Sequence, residues 1–485
     1  MNLEPITSGE IHHMGTQLPL NFGAIGNFRQ TQNNYTYKDK LLNILSDDLD
    51  FHDQNNRNSL HNFHSFPAKF PPQLPCKCIQ ELTDIGDSVL DPMAGSGTSV
   101  LEAFLLGRHG IGFDIDPLAL LITKVKTTSL DGIELIKTGN KIVNEARAGI
   151  KHKRNELMDD GLKNWDEKTL EFIDYWFLPE TQIELLALRE QIGQIEDPMI
   201  KGFFDLAFSS TIITKSGGVS LAFDLGHTRP HRAKVVFANG NRIETANNLA
   251  KFSPHRLEIL TKHIRPAIDE FEKKYKQYLK GIIRNLSGLL PPDIRPADAQ
   301  AMPLENNSID LIVTSPPYAS NAIDYMRAHK FSLVWMGYPI YDLGKKRNDY
   351  IGSEATKDFN FEELPNYTAK IVADLFRVNP KRGQVLHRYY SEMTRVLREM
   401  FRVLKPGKSA IVIVGTTTMK GKDTETGTCL ADIGKSIGFE VPKIGIRNLK
   451  RDKRMMPAGN ELDLDSQIQQ RMHQEYVIGF YKPGS

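Results

Sequence analysis

The sequence predicts an α/β fold whose parallel sheet is interrupted by a large, mostly helical insertion. The sheet is indicated by an apolar run ending at Asp91, then a glycine-rich turn, a helical pattern and a second apolar run at 111–114. This is the strand, turn, helix and strand order of parallel sheets. The insertion is indicated between about residues 127 and 290, where apolar residues recur every three or four positions.

Strand-like patterns return after the insertion, so the chain divides into four segments. Apolar runs lie at 309–313, 410–414 and 476–481, and a helical pattern covers about 389–404. We expect an N-terminal extension, the first half of the α/β core, the insertion and the second half of the core at 1–60, 61–130, 131–290 and 291–485. The last of these includes a variable segment at 341–385. A short helical pattern at 38–45 interrupts an extension that we expect to be loosely ordered.

The composition is that of a globular protein. Of its 485 residues 25% are charged and 40% hydrophobic, which argues against general disorder. No apolar run approaches the roughly 18 residues of a membrane span, and the polar N-terminus lacks a signal-peptide core. The three cysteines provide neither a disulfide framework nor zinc-site spacings. We expect a cytoplasmic protein with no structural metal and no membrane association.

Local charge is more informative than the net charge of +2. Residues 443–454 contain six lysines and arginines against one acid, and residues 215–234 contain four against one. Such clusters favour phosphate binding, but they also occur on ordinary solvated surfaces. Neither cluster by itself establishes DNA binding.

The first motif with chemical content is DPMAGSGTS at 91–99. A strand that ends in Asp91 leads into Gly95 and Gly97, and a helix begins near Thr98. Glycines there let backbone N–H groups approach a ligand closely. The third glycine of the dinucleotide fingerprint is missing, which disfavours a pyrophosphate site. Asp114 ends the second strand, where an acid in such folds reaches ribose hydroxyls.

The second motif is DLIVTSPPY at 310–318, a buried strand that runs into two prolines and an aromatic residue. Pro316 and Pro317 have no backbone N–H and hold the chain extended at the strand end, where α/β sheets bind ligands. The Ser315 hydroxyl and the Pro316 carbonyl form an acceptor pair suited to an amino group. Tyr318 offers a flat face for a base.

Together the two motifs resemble those of the amino-group DNA methyltransferases, which use S-adenosylmethionine and carry an (S/D/N)PP(Y/F) motif. The resemblance covers roughly residues 61–125 and 291–480 and implies a Rossmann-like methyltransferase sheet. The segment HSFPAKFPP at 64–72 resembles the one that borders the methionine end of the cofactor. Asp298 resembles the acid that binds the adenine. The implied cofactor-binding residues are Phe66, Ala68, Asp91, Gly95, Gly97, Thr98, Asp114 and Asp298.

The resemblance implies methyl transfer to the exocyclic amine of a base flipped out of duplex DNA. Ser315 and the Pro316 carbonyl would accept the two amine hydrogens and free the nitrogen lone pair, Pro317 would keep the motif extended, and Tyr318 would stack on the base. Carbon-5 cytosine methyltransferases need a Pro-Cys nucleophile after the fourth strand. The Pro-Cys here precedes the glycine motif, which excludes that class.

The motif TSPPY occurs most often in enzymes that methylate N4 of cytosine, so we favour that base. N6 of adenine is the alternative. Two further alternatives are a tRNA guanine-N2 methyltransferase and a DNA-binding relative without activity. The expected partners are double-stranded DNA and a cognate restriction endonuclease, as in restriction-modification or a related defence system. Sequence recognition is expected from residues 216–241 or from 341–382.

Overall fold

The computed structural model describes residues 36–52, 59–66, 69–163, 165–214, 218–223, 225, 230–282, 290–319, 324–449 and 474–484. The helices are α1 (Tyr37–Ser46), α2 (Gln73–Leu82), α3 (Thr98–Leu105), α4 (Pro117–Lys126), α5 (Gly132–Leu162), α6 (Glu167–Trp176), α7 (Pro179–Gly193), α8 (Pro198–Ile212), α9 (Pro254–Ile259), α10 (Ala267–Leu279), α11 (Tyr325–Leu333), α12 (Ile340–Asp349), α13 (Asn366–Val378), α14 (Pro380–Val403) and α15 (Thr426–Ile437). The strands are β1 (Ser88–Asp91), β2 (His109–Asp114), β3 (Ala222–Phe223), β4 (His231–Arg232), β5 (Val235–Ala238), β6 (Asn241–Glu244), β7 (Thr261–His263), β8 (Asp293–Pro296), β9 (Ile309–Thr314), β10 (Leu404–Gly415), β11 (Thr418–Met419), β12 (Lys422–Asp423), β13 (Ile444–Asn448) and β14 (Gln474–Tyr481).

A seven-stranded sheet in the order β13-β14-β10-β9-β1-β2-β8 forms the centre of the fold. The five strands from β10 to β8 are parallel, whereas β14 runs antiparallel to β10 and β13 antiparallel to β14. The prediction of a Rossmann-like α/β sheet is confirmed. The predicted strand at 476–481 is the core of β14, and the predicted helix at 389–404 is the second half of the longer α14.

Helices cover both faces of the sheet, which explains why the inner strands are almost wholly apolar. Along β9, Leu311 and Val313 pack towards α1 and α2, whereas Ile312 faces the side covered by α14 and α15. The helix predicted at 38–45 is confirmed as α1. Its apolar stripe is buried against β14, where Gly479 leaves room for Leu45.

Within the insertion, α5 to α8 and α10 share one apolar core with α4 and α11. The long helix α5 bends at Lys153, whose φ of −136° is not helical. The sequence did not predict the small three-stranded sheet β6-β5-β7 or the two-stranded pair β3-β4. The division of the chain at residues 130 and 290 stays a prediction.

The strands β1, β2 and β9 are parallel, so their carboxyl ends meet at one edge of the sheet. That edge holds the glycine motif, Asp114 and the proline motif, at the position where open α/β sheets bind ligands. Among the described residues, no helix is long and apolar enough to cross a membrane.

Candidate active site

A cavity lies at this edge of the sheet, which is where open α/β sheets bind small molecules. Seven of the residues that the sequence predicted line it: Phe66, Gly95, Thr98, Asp114, Asp298, Ser315 and Pro317. Four predicted residues do not: Asp91, Gly97, Pro316 and Tyr318. Ala68 lies outside the described residues. The glycine motif and the proline motif therefore face one shared space.

The glycine motif depends on close packing against α4. Gly97 has a φ of +73°, and a Cβ built on it would lie 2.6 Å from the Thr123 side chain. The buried Lys126 ammonium donates a hydrogen bond of 2.6 Å to the Ser96 carbonyl. Gly95, with a φ of +51°, does face the cavity, and its position would bring a Cβ to 3.2 Å from the Phe66 ring. Gly97 thus supports the loop from behind, while Gly95 forms its inner surface.

Asp114 is the acid at the end of β2, and backbone donors already hold part of it. The Gly95 N–H donates to its Oδ2 at 2.8 Å, and the Asp116 N–H donates to its Oδ1 at 2.9 Å. An ionised carboxylate has about four acceptor positions, so about two remain for a ligand. Burial, followed by the charge of Asp116, raises the pKa of Asp114 to about 7. A cofactor with two neighbouring hydroxyls would fill the remaining positions.

Asp91 does not face the cavity, and its carboxylate is hydrogen-bonded within the protein. It is 2% exposed, and it accepts a hydrogen bond of 2.7 Å from the Thr314 hydroxyl and one of 3.2 Å from the Met93 N–H. Burial raises its pKa to about 6, although these hydrogen bonds act against that rise. Asp91 therefore links the glycine motif to the strand that precedes the proline motif.

The proline motif is an extended chain whose residues alternate between two sides. Ser315 and Pro317 are partly exposed and line the cavity, whereas Pro316 and Tyr318 are buried. This is the period of two that extended backbone imposes. The sequence predicted an open aromatic face at Tyr318, but its side chain is 8% exposed and its hydroxyl donates to Glu475 at 3.2 Å.

Sequence reasoning missed a group of polar and aromatic residues in the cavity wall. Asp116 caps the start of α4 and also binds His329 Nδ1 at 2.5 Å and the Tyr350 hydroxyl at 2.8 Å. Burial alone would raise the pKa of Asp116, but these partners lower it overall. Tyr325 lines the cavity and stacks on Phe66 with 5.0 Å between ring centroids. Only Asp116 had a sequence signal, an Asp before proline at a helix start.

Carboxylates dominate the charge of the cavity wall. Asp114, Asp116, Asp298 and Asp349 line it, and Lys69 is the only cation among the described lining residues. The Lys69 ammonium donates to the carbonyls of residues 61 and 64 at 2.9 Å. This balance suits a ligand with positive charge, such as a sulfonium.

The two predicted basic clusters are only partly described. Arg447 is buried and forms an ion pair with Glu475, and Lys443 donates to the Ser46 hydroxyl at 2.8 Å, so phosphate binding by Arg447 is not supported. Arg232 lies over the Tyr175 ring at 4.4 Å. The other cations of the cluster at 443–454, and Lys215 and Arg229 of the cluster at 215–234, lie outside the described residues.

The sequence of this chain is similar to those of DNA methyltransferases. The N6_N4_Mtase family model, described as DNA methylase, matches residues 21–124. Type II methyltransferase M.MvaI of Kocuria varians is 24% identical over 447 residues, covering 87% of this chain and 91% of that protein. Type II methyltransferase M.BsoBI of Geobacillus stearothermophilus is 22% identical over 431 residues, covering 80% of each.

Among solved structures, a putative DNA modification methylase of Thermus thermophilus, complexed with S-adenosyl-L-methionine, is 17% identical. It covers 39% of this chain and 52% of its own, with a TM-score of 0.21, which is too low to support a structural argument. The family model over residues 21–124 and the two Type II relatives support an amino-group DNA methyltransferase family for this chain, and proteins of that family use S-adenosylmethionine.

Proposed function

We propose that the protein methylates N4 of cytosine at a specific sequence in double-stranded DNA. The observation that carries methyl transfer is that Ser315 and the glycine motif line the same cavity, and the choice of cytosine rests on the motif TSPPY. A methyl donor held by the glycine motif and an amine held by Ser315 would therefore lie side by side. We further propose that the protein acts in the cytoplasm with a cognate endonuclease, and the relatives named Type II methyltransferase support a role in restriction-modification.

The carboxylates of the cavity wall suit the positive charge of S-adenosylmethionine. Gly95 and Thr98 would face the methionine part together with Phe66, Asp114 would accept the ribose hydroxyls, and Asp298 would bind the adenine amine. Asp91 and Gly97 would act through the loop that they stabilise. The bound cofactor would supply an activated methyl group on a sulfonium.

The chain's own contribution to catalysis is positioning and electrostatics. The Ser315 hydroxyl and the Pro316 carbonyl would accept the two hydrogens of the flipped amine, which favours a pyramidal nitrogen with its lone pair towards the methyl group. Pro317 would keep the chain extended. Tyr318, which is buried, would support the base indirectly by fixing the motif from behind.

DNA recognition is best assigned to the small sheet of the insertion. Residues 230–265 contain seven lysines and arginines against two acids. Strands β5 and β6 form a hairpin at the edge of the three-stranded sheet, and its tip, Asn239 and Gly240, has φ values of +50° and +78°. We assign the tip of this hairpin to the major groove of DNA, where asparagine and arginine read base edges. Asn241 and Arg242 are exposed beside the tip.

The test is methylation of unmethylated genomic DNA with methyl-labelled S-adenosylmethionine, followed by digestion and mass spectrometry of the nucleosides. N4-methylcytosine is the expected product, and Ser315→Ala should reduce its yield. Detection of N6-methyladenine instead would show that adenine is the target base. Labelling of tRNA and not DNA would favour the guanine-N2 alternative, and cofactor binding without transfer to either would indicate an inactive DNA-binding relative.

A further inference from the structure

The proline motif lies between two side-chain hydrogen bonds, one at each end. Before it, the Thr314 hydroxyl donates to Asp91 at 2.7 Å. At its end, the Tyr318 hydroxyl donates to Glu475 Oε1 at 3.2 Å. Because two successive prolines remove two backbone donors, the motif cannot be held by an ordinary ladder of backbone hydrogen bonds. Side chains at its two ends therefore provide anchors that the backbone lacks.

The partner of Tyr318 is itself held in place. Glu475 on β14 and Arg447 on β13 are paired residues in the antiparallel register, and their side chains form an ion pair. Glu475 is 8% exposed and Arg447 is 9% exposed, so solvent screens this pair little. A buried carboxylate with a fixed counter-charge is a more rigid acceptor than a surface glutamate would be.

We propose that Glu475, oriented by Arg447, is a positioning residue for methyl transfer that acts through the Tyr318 hydroxyl. The bond fixes the end of the extended motif and thereby the direction in which Ser315 faces the cavity. The inference rests on the proposed function, which assigns the amine-accepting role to Ser315. Small errors in the position of a reacting group cost large factors in rate, so loosening this anchor lowers the rate of transfer.

The first test distinguishes the role of the Tyr318 hydroxyl from that of its aromatic ring. Tyr318→Phe keeps the aromatic ring and removes the bond to Glu475. The matched control is Tyr275→Phe, since Tyr275 is also buried and its hydroxyl donates to Asn140 at 2.8 Å within the helical insertion. Tyr318→Phe is expected to lower kcat about tenfold, equivalent to about 1.4 kcal/mol. The Kd for S-adenosylmethionine should stay near the wild-type value, and the control should change neither quantity.

The second test replaces the whole ion pair. Arg447→Met and Glu475→Leu are introduced together, because removing one partner would leave a buried charge unpaired. This variant should lose about as much kcat as Tyr318→Phe, and combining it with Tyr318→Phe should cost little more, since all act on one anchor. If the ion pair only stabilised the fold, replacing it would lower the melting temperature. Any loss of kcat would then add to that of Tyr318→Phe.

The outcomes distinguish this inference from the proposed function. Wild-type kcat in folded Tyr318→Phe, or fully additive losses, would overturn the positioning role while DNA methylation stands. Absence of DNA methylation by the wild-type protein, with cofactor bound, would overturn both. Loss of cofactor affinity in Tyr318→Phe would also contradict the inference, because the anchor would then act on the glycine motif.

Discussion

The affinity for S-adenosylmethionine should depend on pH through Asp114. Burial and the neighbouring charge of Asp116 raise the pKa of Asp114 to about 7, so the free protein holds this carboxyl protonated below that pH. Two of its acceptor positions are filled by the N–H groups of Gly95 and Asp116, and protonation removes one of the two that remain. Affinity should therefore be lost as the pH falls.

The size of the effect follows from the same pKa. Between about pH 8 and pH 6 the ionised fraction falls from about nine tenths to about one tenth, so Kd should rise about tenfold. Asp114→Ala should weaken binding by about 1–3 kcal/mol, or about 5- to 150-fold, at the higher pH. Asp114→Asn should also bind weakly, because its amide nitrogen would replace one of the two oxygens that accept hydrogen bonds from the backbone N–H groups of Gly95 and Asp116. Both variants should lose the pH dependence.

Isothermal titration calorimetry across this pH range measures the effect. Asp131→Ala is the control, because Asp131 caps α5 at its Ile133 N–H and does not line the cavity. Titration of the ligand itself is common to all proteins and cancels in the comparison. The reasoning is refuted if wild-type Kd is constant from pH 6 to 8, or if Asp114→Ala binds with the wild-type pH profile. Saturating cofactor should restore much of the methylation rate of Asp114→Ala.

Three further predictions concern the loop, the proline motif and the unassigned cations. Gly97→Asp should abolish cofactor binding and Gly97→Ala should weaken it strongly, because a Cβ there would meet the Thr123 side chain at 2.6 Å and the φ is +73°. The control is Gly193→Ala, where a Cβ would meet open space. Unchanged affinity of the Gly97 variants in calorimetry would contradict this account. Tyr318→Ala should lower kcat more than Tyr318→Phe and leave cofactor affinity nearly unchanged, and Ser315→Ala should likewise lower kcat more than binding in steady-state assays. Replacing Lys450, Arg451 and Arg454 by alanine should weaken binding to all duplex sequences alike. The slope of log affinity against log salt concentration should become shallower by about 0.9 per lost phosphate contact. An unchanged slope would indicate that the cluster is ordinary solvated surface.

Much of the site was predictable because its chemistry depends on local backbone rules. Glycines at 95 and 97 adopt positive φ, as the motif requires, and two prolines end β9 in extended backbone. The Asn-Gly pair at 239–240 is also a local signal for the hairpin of β5 and β6, although it lies within a stretch whose overall pattern predicts helices.

The sequence by itself determined strands β1, β2, β9, β10 and β14, the two motifs and the edge of the sheet at which they meet, since each depends on neighbours a few residues away. Only the tertiary structure decided what those motifs touch. It turned Tyr318 towards Glu475 and Asp91 towards Thr314, and it buried Arg447 within a cluster that read as basic surface. These contacts join residues more than 150 positions apart or neighbouring strands, and they depend on sheet order and strand register, which no local pattern encodes.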